Sequence, residues 1–331
     1  MQTNHPYPDL RAKFEEYLED IVLSETQGYP LLQEMIAYHF GWLDPKQPAG
    51  KRLRPMLTLL SAEVFSDKVT KAFSAAAALE ILHNYTLIHD DIEDNSDTRH
   101  GQFALWKMYG IAQAINTGDF LLSLASVLIN NSKVGRPDLL LSTFLDSTVE
   151  VTKGQHEDIR FESLAAITEN AYLSMISLKT ASLFSAAMKL GAISVGANHT
   201  VLNLLGKVGH EFGLAYQIFD DYVGIWGDPK VTGKPAGIDL MEKKKSYPVL
   251  LGIQKDEAFA SRIAAEGLID ATTAEKLIKD LDRLGIRDHA KSKVAQYLDE
   301  GNNKLREIEM EHGLETSRLG IYINSLFKLD R

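Results

Sequence analysis

The sequence predicts an all-α protein, because apolar residues follow a helical period along most of the chain and no strand pattern interrupts them. The first segment repeats apolar residues at three- and four-residue spacings and leaves acidic residues outward: the apolar ones are Leu10, Phe14, Tyr17, Leu18, Ile21 and Val22, and the acidic ones Glu15, Glu16, Glu19 and Asp20. This is the pattern of one buried face on an amphipathic helix. No run alternates strictly between apolar and polar residues, and no two-residue hairpin turn is evident.

Similar helical patterns follow along the chain with few breaks. They cover residues 10–22, 66–94, 111–130, 139–162, 173–190, 201–225, 274–284 and 290–311. Asp67 stands where a carboxylate would cap the second of these helices by accepting hydrogen bonds from its first N–H groups. Two stretches rich in Gly and Pro, 41–50 and 226–240, break the pattern, which resumes on both sides. We therefore expect a single domain over residues 1–331, built as one large bundle of long helices.

Composition excludes several classes of protein. The 331 residues are 45% hydrophobic and 24% charged, which suits a globular protein with a sizeable core. The lack of cysteine excludes disulfides and thiolate metal sites. A net charge of −10 argues against a nucleic-acid partner. No signal peptide is evident, nor any uninterrupted apolar run of about 20 residues. We expect a cytoplasmic protein without a membrane span.

The most informative string is LIHDDIEDNSDTRHG, residues 87–101. Asp90 and Asp94 are four residues apart, so on a helix their carboxylates share one face and repel each other. A divalent hard cation would reverse that repulsion, and Mg²⁺ prefers oxygen ligands and usually also holds substrate phosphates. Asp91 adds charge beside them, and Arg99 follows the helix. Taken alone, this string also fits an ordinary acidic, solvated helix end.

A second acidic pair, Asp220 and Asp221, follows another apolar helical run in YQIFDDYVG. The two pairs together suggest two sets of metal ligands facing one cavity. Cations accompany them in separate groups: Lys51, Arg52 and Arg54 in GKRLRP, Lys179 beside Thr180, Lys234 in the Gly/Pro-rich loop, and Lys243, Lys244 and Lys245 after it. A mid-helix lysine or a lysine run is also common on solvated surfaces. The combination predicts a site for two diphosphates, one held through Mg²⁺ and one by direct Lys and Arg contacts.

In this context the chain resembles the trans-isoprenyl diphosphate synthases, or polyprenyl synthetases, from about residue 50 to residue 248. The motifs occur in that family's order: GKRLRP, LHNYTLIHDDIED, RHG, GQHEDI, KTASLF, YQIFDD, GDPKVTGKPAGIDL and KKKSYP. Each motif is weak alone, and the ordered set is specific. The resemblance implies the isoprenoid synthase fold, all-α around a central cavity, a homodimer, and Mg²⁺ as cofactor. It also implies isopentenyl diphosphate and an allylic diphosphate as substrates.

The resemblance assigns roles residue by residue. Metal binding would fall to Asp90, Asp94 and Asp220, supported by Asp91 and Asp221. Allylic-diphosphate contacts would come from Arg99, Lys179, Lys234 and Lys244, and isopentenyl-diphosphate contacts from Lys51, Arg54 and His83. Lys179, Thr180 and Gln217 are the expected catalytic residues, with the oxygen dipoles of Thr180 and Gln217 near the allylic cation. Gln155, Asp158 and Asp239 would support the site from behind.

Two positions depart from the family pattern. His100 stands where a second arginine often contacts isopentenyl diphosphate, and an imidazole binds phosphate less well unless it is protonated. Gly224 stands where the second motif often has a third aspartate. Both departures are expected to weaken ligand binding.

Product length in this family depends on bulky residues before the first motif. Tyr85 lies five residues before Asp90, about 7.5 Å along a helix, and the small Thr86 follows it. The first motif carries no two-residue insertion. The resemblance then implies a geranylgeranyl (C20) diphosphate synthase, with a farnesyl (C15) diphosphate synthase as the alternative. Tyr85 is also explained if it merely packs between helices with its hydroxyl satisfied.

Three other functions fit part of the pattern. A class I terpene cyclase shares the first motif, but its second metal motif is missing from the sequence and it has no need of Lys51, Arg54 and His83. A non-catalytic partner subunit of a heteromeric synthase would usually have lost the first motif, which is intact here. A metal-dependent phosphohydrolase would need further spaced ligands, and His156 and His210 form no such pattern.

Overall fold

The computed structural model describes residues 6–44, 50–164, 166–232, 235–265 and 267–327. Nearly all the secondary structure in these ranges is helical, and one short hairpin pairs strand β1 (Thr98–Arg99) with strand β2 (Gln102–Phe103). The all-α prediction is therefore confirmed.

The helices of the N-terminal part are long and closely spaced in sequence. They are α1 (Pro8–Glu25), α2 (Pro30–Phe40), α3 (Leu53–Glu63), a 3₁₀ helix (Val69–Ala72), α4 (Phe73–Glu93), α5 (Leu105–Tyr109) and α6 (Ile111–Asn130). Proline occupies the first position of α1 and of α2. A missing N–H costs nothing there, because the first N–H groups of a helix have no partner within the helix.

In the described ranges after α6, the secondary structure is helical throughout. The helices there are α7 (Pro137–Glu162), α8 (Glu169–Ile176), a π-helical turn (Ser177–Ala181), α9 (Ser182–Ser194), α10 (His199–Trp226), α11 (Pro229–Thr232), α12 (Ile238–Met241), α13 (Tyr247–Lys255), α14 (Glu257–Ala264), α15 (Ala271–Arg283), α16 (Ile286–His312) and α17 (Ser317–Ser325). Side-chain oxygens of Thr168, Asp256 and Asp270 accept backbone N–H bonds of 3.2, 2.9 and 2.7 Å and so begin α8, α14 and α15.

Internal contacts divide the chain into two compact units. The first comprises Met1–Asp146 with Ala187–Leu202, and the second Ser147–Ala186 with Asn203–Arg331. The expectation of a single domain over residues 1–331 is not tested by this division and stays a prediction.

The helix that carries the first aspartate motif begins later than the sequence suggested. Asp67 does not cap it, because the 3₁₀ helix Val69–Ala72 intervenes and α4 begins at Phe73. The alanine-rich start of α4, residues 75–78, is fully buried. Its small side chains let neighbouring helices approach, and α6 packs against α4 over much of its length.

The hairpin was not predicted, and its turn explains a residue of interest. His100 and Gly101 form the two-residue turn between β1 and β2, with φ of 54° and 82°. Positive φ at both turn positions gives the twist that two-residue hairpins need. The Gly after His100 was the available sequence signal, and strands of two residues were too short to show an alternating pattern.

Helix α6 meets the length and composition criteria for crossing a bilayer, alone among the helices of the described ranges. Its mean hydropathy is 1.3, and 39% of the window is buried within the protein. Core helices also meet these criteria, and the contact of α6 with α4 is of that kind. The helix is therefore weak support for a membrane span.

Candidate functional site

The first aspartate motif ends helix α4. Asn95 adopts a left-handed conformation with φ of 51°, and the Ser96 N–H donates to the Asp91 carbonyl at 2.9 Å. This is the hydrogen-bond pattern with which many helices stop. Asp90 lies in the last helical turn with a half-buried side chain, and Asp94 lies one turn further with an exposed one. The predicted pair therefore shares one face at an open helix end.

Asp91 has a different environment from its neighbours. Its side chain is 1% exposed and accepts hydrogen bonds from Arg99 Nε at 3.0 Å and Arg99 Nη2 at 2.5 Å. Burial raises the pKa of Asp91, and the Arg99 guanidinium opposes this shift without cancelling it. The fork of an arginine on one carboxylate is among the strongest side-chain pairs. The pair ties α4 to strand β1 and so fixes where Arg99 lies.

The GKRLRP motif divides its three cations by burial. Arg52 is 3% exposed and precedes α3 in a left-handed conformation, with φ of 51°. Lys51 is exposed, and Arg54, in the first turn of α3, is half-buried. Lys51 and Arg54, the two cations of this motif that are predicted to contact isopentenyl diphosphate, are therefore less buried than Arg52.

Two histidines of the first unit lie in an electropositive environment. Burial and then the charges of Arg54 and Arg99 hold the pKa of His83 well below its usual value. His39, on α2, is 7% exposed. Burial lowers its pKa to about 3, helped by the charges of Arg99 and His100. His39 was not predicted, because a lone histidine in an apolar helix gives no pattern signal. His100 itself is exposed in the hairpin turn.

Lys179 and Thr180 lie in the π-helical turn Ser177–Ala181 of the second unit. Such single-turn bulges in helices often mark functional positions, because they redirect side chains. Lys179 Nζ lies 2.5 Å from Asp158 Oδ2, which joins two of the predicted motifs. A Cβ at Gly154 would lie 2.3 Å from the Lys179 backbone N, so only glycine allows this approach. Gln155, the next residue on α7, is half-buried.

A chain of hydrogen bonds links the predicted catalytic residues. The Thr180 hydroxyl donates to Gln217 Oε1 at 2.7 Å, and Gln217 Nε2 donates to Asp221 Oδ1 at 3.0 Å. The other Asp221 oxygen accepts the Tyr172 hydroxyl and the Tyr247 backbone N–H. Tyr172 and Tyr247 were not predicted. A tyrosine in an apolar helical run, which must find a partner for its hydroxyl when buried, was the available signal.

The second aspartate motif contains one exposed and one buried carboxyl. Asp220 is exposed, whereas Asp221 is 7% exposed. Burial raises the pKa of Asp221 to about 7, and the charge of Asp239 adds to the shift. Asp239 is itself 8% exposed, and burial raises its pKa too. The charges of three predicted residues therefore interact, namely Asp220, Asp221 and Asp239. Of these three, Asp220 has the exposed side chain.

The three lysines that follow Asp239 do not act as one charged patch. Lys245 Nζ donates to the carbonyls of Phe161 and Glu162 at 2.7 and 2.8 Å, at the end of α7. Lys243 donates to the Ala265 carbonyl. Lys244 is exposed and its charge opposes the raised pKa of Asp239. Lys244 was the predicted ligand contact among the three. The prediction for Lys234 lies outside the described residues.

Tyr85 packs beside the first motif. Its ring centroid lies 4.7 Å from that of His89, one turn along α4. A Cβ at Gly118 of α6 would lie 2.4 Å from His89 Nε2 and 3.5 Å from the Tyr85 ring. The two aromatic side chains thus occupy the space that Gly118 leaves open between α4 and α6.

The carboxylates fit a metal that is bound together with substrate. In the described part of the chain, no group of three or more His, Cys, Asp or Glu residues forms a ready metal cluster. Mg²⁺ usually takes one or two carboxylates and completes its shell with waters and substrate phosphates. Asp90 and Asp94, one turn apart at an open helix end, supply that donor set. The residues therefore suit Mg²⁺ with a diphosphate.

Comparisons with known proteins agree with these features. The family model described as polyprenyl synthetase matches residues 30–281. A (2E,6E)-farnesyl diphosphate synthase of Mycobacterium bovis is 33% identical over 256 residues, 76% of this chain and 71% of that protein. A geranylgeranyl diphosphate synthase of Sulfolobus acidocaldarius is 35% identical over 271 residues, 80% of each. The crystal structure of a geranylgeranyl pyrophosphate synthetase from Pyrococcus horikoshii has a TM-score of 0.86 at 28% identity, covering 98% of this chain and 99% of that one. The predicted isoprenoid synthase fold is confirmed.

Proposed function

We propose that this chain, which belongs to the polyprenyl synthetase family of prenyltransferases, condenses isopentenyl diphosphate with allylic diphosphates. The main product is geranylgeranyl diphosphate (C20). The observation that carries the proposal is the arrangement at the end of α4. Asp91 has its charge offset by Arg99, while Asp90 and Asp94 share the open face.

Asp90, Asp94 and Asp220 are the proposed Mg²⁺ ligands. When bound, Mg²⁺ would offset the charge that develops on the departing diphosphate and so favour ionisation. Asp91 and Asp221 support these residues from buried positions. Asp91 does so through Arg99, and Asp221 through its bonds to Gln217, Tyr172 and the Tyr247 backbone.

The cations divide between the two substrates. Arg99, Lys179, Lys244 and Lys234 bind the allylic diphosphate, and Lys51, Arg54 and His83 bind isopentenyl diphosphate. Asp158 and Asp239 stand beside Lys179 and Lys244 and set their positions. His100 adds a weaker contact than an arginine would, because its imidazole carries charge only when protonated.

The reaction exchanges a C–O bond for a C–C bond, and a C–H bond for an O–H bond on the released diphosphate. The allylic C–O bond breaks, and its electron pair leaves with the diphosphate. The double bond of isopentenyl diphosphate then attacks the allylic cation, and a proton is lost to the released diphosphate. The Thr180 hydroxyl donates a hydrogen bond to Gln217 Oε1, which leaves the lone pairs of the hydroxyl oxygen available to the cation. Apolar walls around the allylic chain would exclude water, which would otherwise capture the cation as an alcohol.

Product length is proposed from Tyr85, whose ring packs with His89 beside α6. A single aromatic residue at this depth supports C20 rather than longer products. The relatives include both farnesyl and geranylgeranyl diphosphate synthases at similar identity, so C15 is the second candidate.

We also propose a homodimer. Apolar side chains on α5 and α6 are 41–51% exposed, namely Met108, Ile111 and Ile115. Exposed apolar residues grouped on neighbouring elements are typical of a surface that a partner covers. Size-exclusion chromatography with light scattering would test this proposal, and a monomer at micromolar concentration would contradict it.

The reaction is tested with purified protein, Mg²⁺ and radiolabelled isopentenyl diphosphate. Dimethylallyl, geranyl and farnesyl diphosphates are offered separately, and the dephosphorylated products are sized by chromatography. We expect a C20 alcohol from each primer and none when EDTA is added. Products that stop at C15 would favour the farnesyl alternative. No elongation from any primer, with diphosphate binding intact, would favour a non-catalytic partner subunit.

A further inference from the structure

The buried Arg52 of the GKRLRP motif is bound by two glutamates and one backbone carbonyl. Its Nε and Nη2 donate to the two carboxylate oxygens of Glu15 at 2.9 and 2.7 Å, and Nη1 donates to Glu80 Oε1 at 3.0 Å. Nη2 also reaches the Phe40 carbonyl at 3.3 Å. Burial alone would lower the pKa of Arg52, but Glu15 and Glu80 outweigh burial and raise this pKa above its usual value. With its donors committed and its charge offset, Arg52 is not a ligand for diphosphate.

Helix α1 holds the same segment at a second point. Arg11 Nη2 donates to the Gly50 carbonyl at 3.1 Å, one helical turn from Glu15. A Cβ at Gly50 would lie 3.2 Å from Arg52 Nη1, so glycine gives the guanidinium its room. Arg11 and Glu15 lie outside residues 30–281, which the family model matches.

The opposite end of the network lies on helix α4. Glu80 is 3% exposed and lies one turn before His83. Asn84 Nδ2 donates to the Glu80 carbonyl at 2.8 Å. Arg52 thus joins the start of α3, which carries Arg54, to the part of α4 that carries His83. The contacts of Arg52 therefore connect the segments that carry Arg54 and His83, which are proposed to bind isopentenyl diphosphate.

From these contacts we infer that Glu15, Arg52 and Glu80 form an anchor that positions Lys51, Arg54 and His83 for isopentenyl diphosphate. Arg52 adopts the left-handed conformation, which a residue with a side chain takes only when its surroundings compensate. The ion pairs with Glu15 and Glu80 supply that compensation. The backbone turns at Arg52, and of the cations on either side of the turn Lys51 is exposed and Arg54 half-buried. Glu15, Arg52 and Glu80 are positioning residues, because they act through their neighbours.

The inference rests on the proposed function and is tested with Arg52→Lys and Glu15→Gln. Lysine keeps the charge but cannot form the two-pronged bond to Glu15. We expect KM for isopentenyl diphosphate to rise about tenfold in both variants, because small displacements of binding groups cost this much or more. KM for the allylic primer should change little. Glu16→Gln is the matched control, since Glu16 is the exposed neighbour of Glu15 on α1. Unchanged KM values in Glu15→Gln would overturn the inference.

Arg52→Gly distinguishes the anchor from a role in which only the left-handed backbone of Arg52 matters. Glycine adopts the left-handed conformation freely, so that role predicts an unchanged KM for isopentenyl diphosphate. The anchor predicts a loss in this variant too, and an unchanged KM would overturn it. If the wild type elongates no primer, the proposed function fails. Calorimetry of inorganic pyrophosphate binding in EDTA then still tests the anchor: weaker binding in Glu15→Gln than in Glu16→Gln supports it, and equal binding overturns it.

Discussion

The carboxylate of Asp239 lies against the backbone of Gly224. A Cβ at Gly224 would come within 2.5 Å of Asp239 Oδ2 and 2.7 Å of Oδ1. Gly224 is the position where the second motif often has a third aspartate, and the close approach explains why a side chain is absent there. Asp239 brings a buried carboxyl to the place that an aspartate at position 224 would otherwise occupy.

We expect Gly224→Asp to lower both stability and activity, although it restores the more frequent residue. The added side chain would overlap Asp239 and bring a second negative charge to it, and overpacking alone typically costs about 1–3 kcal/mol. The thermal unfolding temperature and the elongation rate measure the two effects. Asp239→Ser in the same background should recover part of the stability. A Gly224→Ala protein as stable as the wild type would show that the backbone yields at this contact.

Asp91 and Asp94 of the first motif should respond differently to substitution. Asp94→Asn should lower the elongation rate by about 10²-fold or more and leave stability within about 0.5 kcal/mol, because the side chain is exposed. Asp91→Asn should instead destabilise the fold by about 1–3 kcal/mol, because Arg99 loses its charged partner. Urea unfolding and product assays on both variants check this. Equal stability losses would contradict the assignment of Asp91 to Arg99.

Gly154→Ala should disturb the π-helical turn that carries Lys179 and Thr180. The new methyl group would meet the Lys179 backbone N at 2.3 Å, which requires α7 and this turn to separate. We expect a loss of about 1–3 kcal/mol in stability and a larger loss in elongation rate. Gly135→Ala is the control, because nothing lies within 4 Å of its added Cβ. The prediction is wrong if the two variants elongate equally well.

Buried His39 should make the protein less stable in mild acid. Burial holds its pKa near 3 in the folded state, against about 6.5 in an unfolded chain. Between these values the unfolded chain binds a proton that the folded protein does not, so stability falls as the pH drops below 6.5. The slope from one such group is at most about 1.4 kcal/mol per pH unit.

His39→Gln should therefore flatten the dependence of the unfolding free energy on pH between about 4.5 and 6.5. Urea unfolding at several pH values measures it, with the exposed His199→Gln as control. His83, whose pKa is also lowered by burial, should keep part of the slope. An unchanged slope in His39→Gln would show that His39 is protonated in the folded protein.

Tyr85→Ala should extend the product beyond C20, because removing the ring opens space beside His89 and Gly118. Tyr85→Phe keeps the ring and should leave the product unchanged. Chromatography of the dephosphorylated products distinguishes these outcomes. If Tyr85→Ala still stops at the wild-type length, another residue limits the product.

The sequence anticipated the helices well and their ends less well. The period that predicts 111–130 and 201–225 agrees with α6 and α10, because long amphipathic helices are specified by local repetition. The pattern for α4 was taken from residue 66 with Asp67 as its cap, whereas the helix begins at Phe73. The hairpin at His100 was missed. Helix ends and short turns depend on a few hydrogen bonds with competing local solutions, which hydrophobic period does not report.

By itself the sequence determined the fold class, the family and which residues carry charge in each motif, because these depend on residue type and order. Only the tertiary structure decided which charges are already offset within the protein. Asp91 is bound to Arg99, Arg52 to Glu15 and Glu80, and Lys245 to the end of α7. Each of these residues is adjacent in sequence to a residue of the same charge whose side chain is less buried. Such neighbours differ in their burial and in their partners from distant parts of the chain. Adjacency in sequence specifies neither the burial nor the partners.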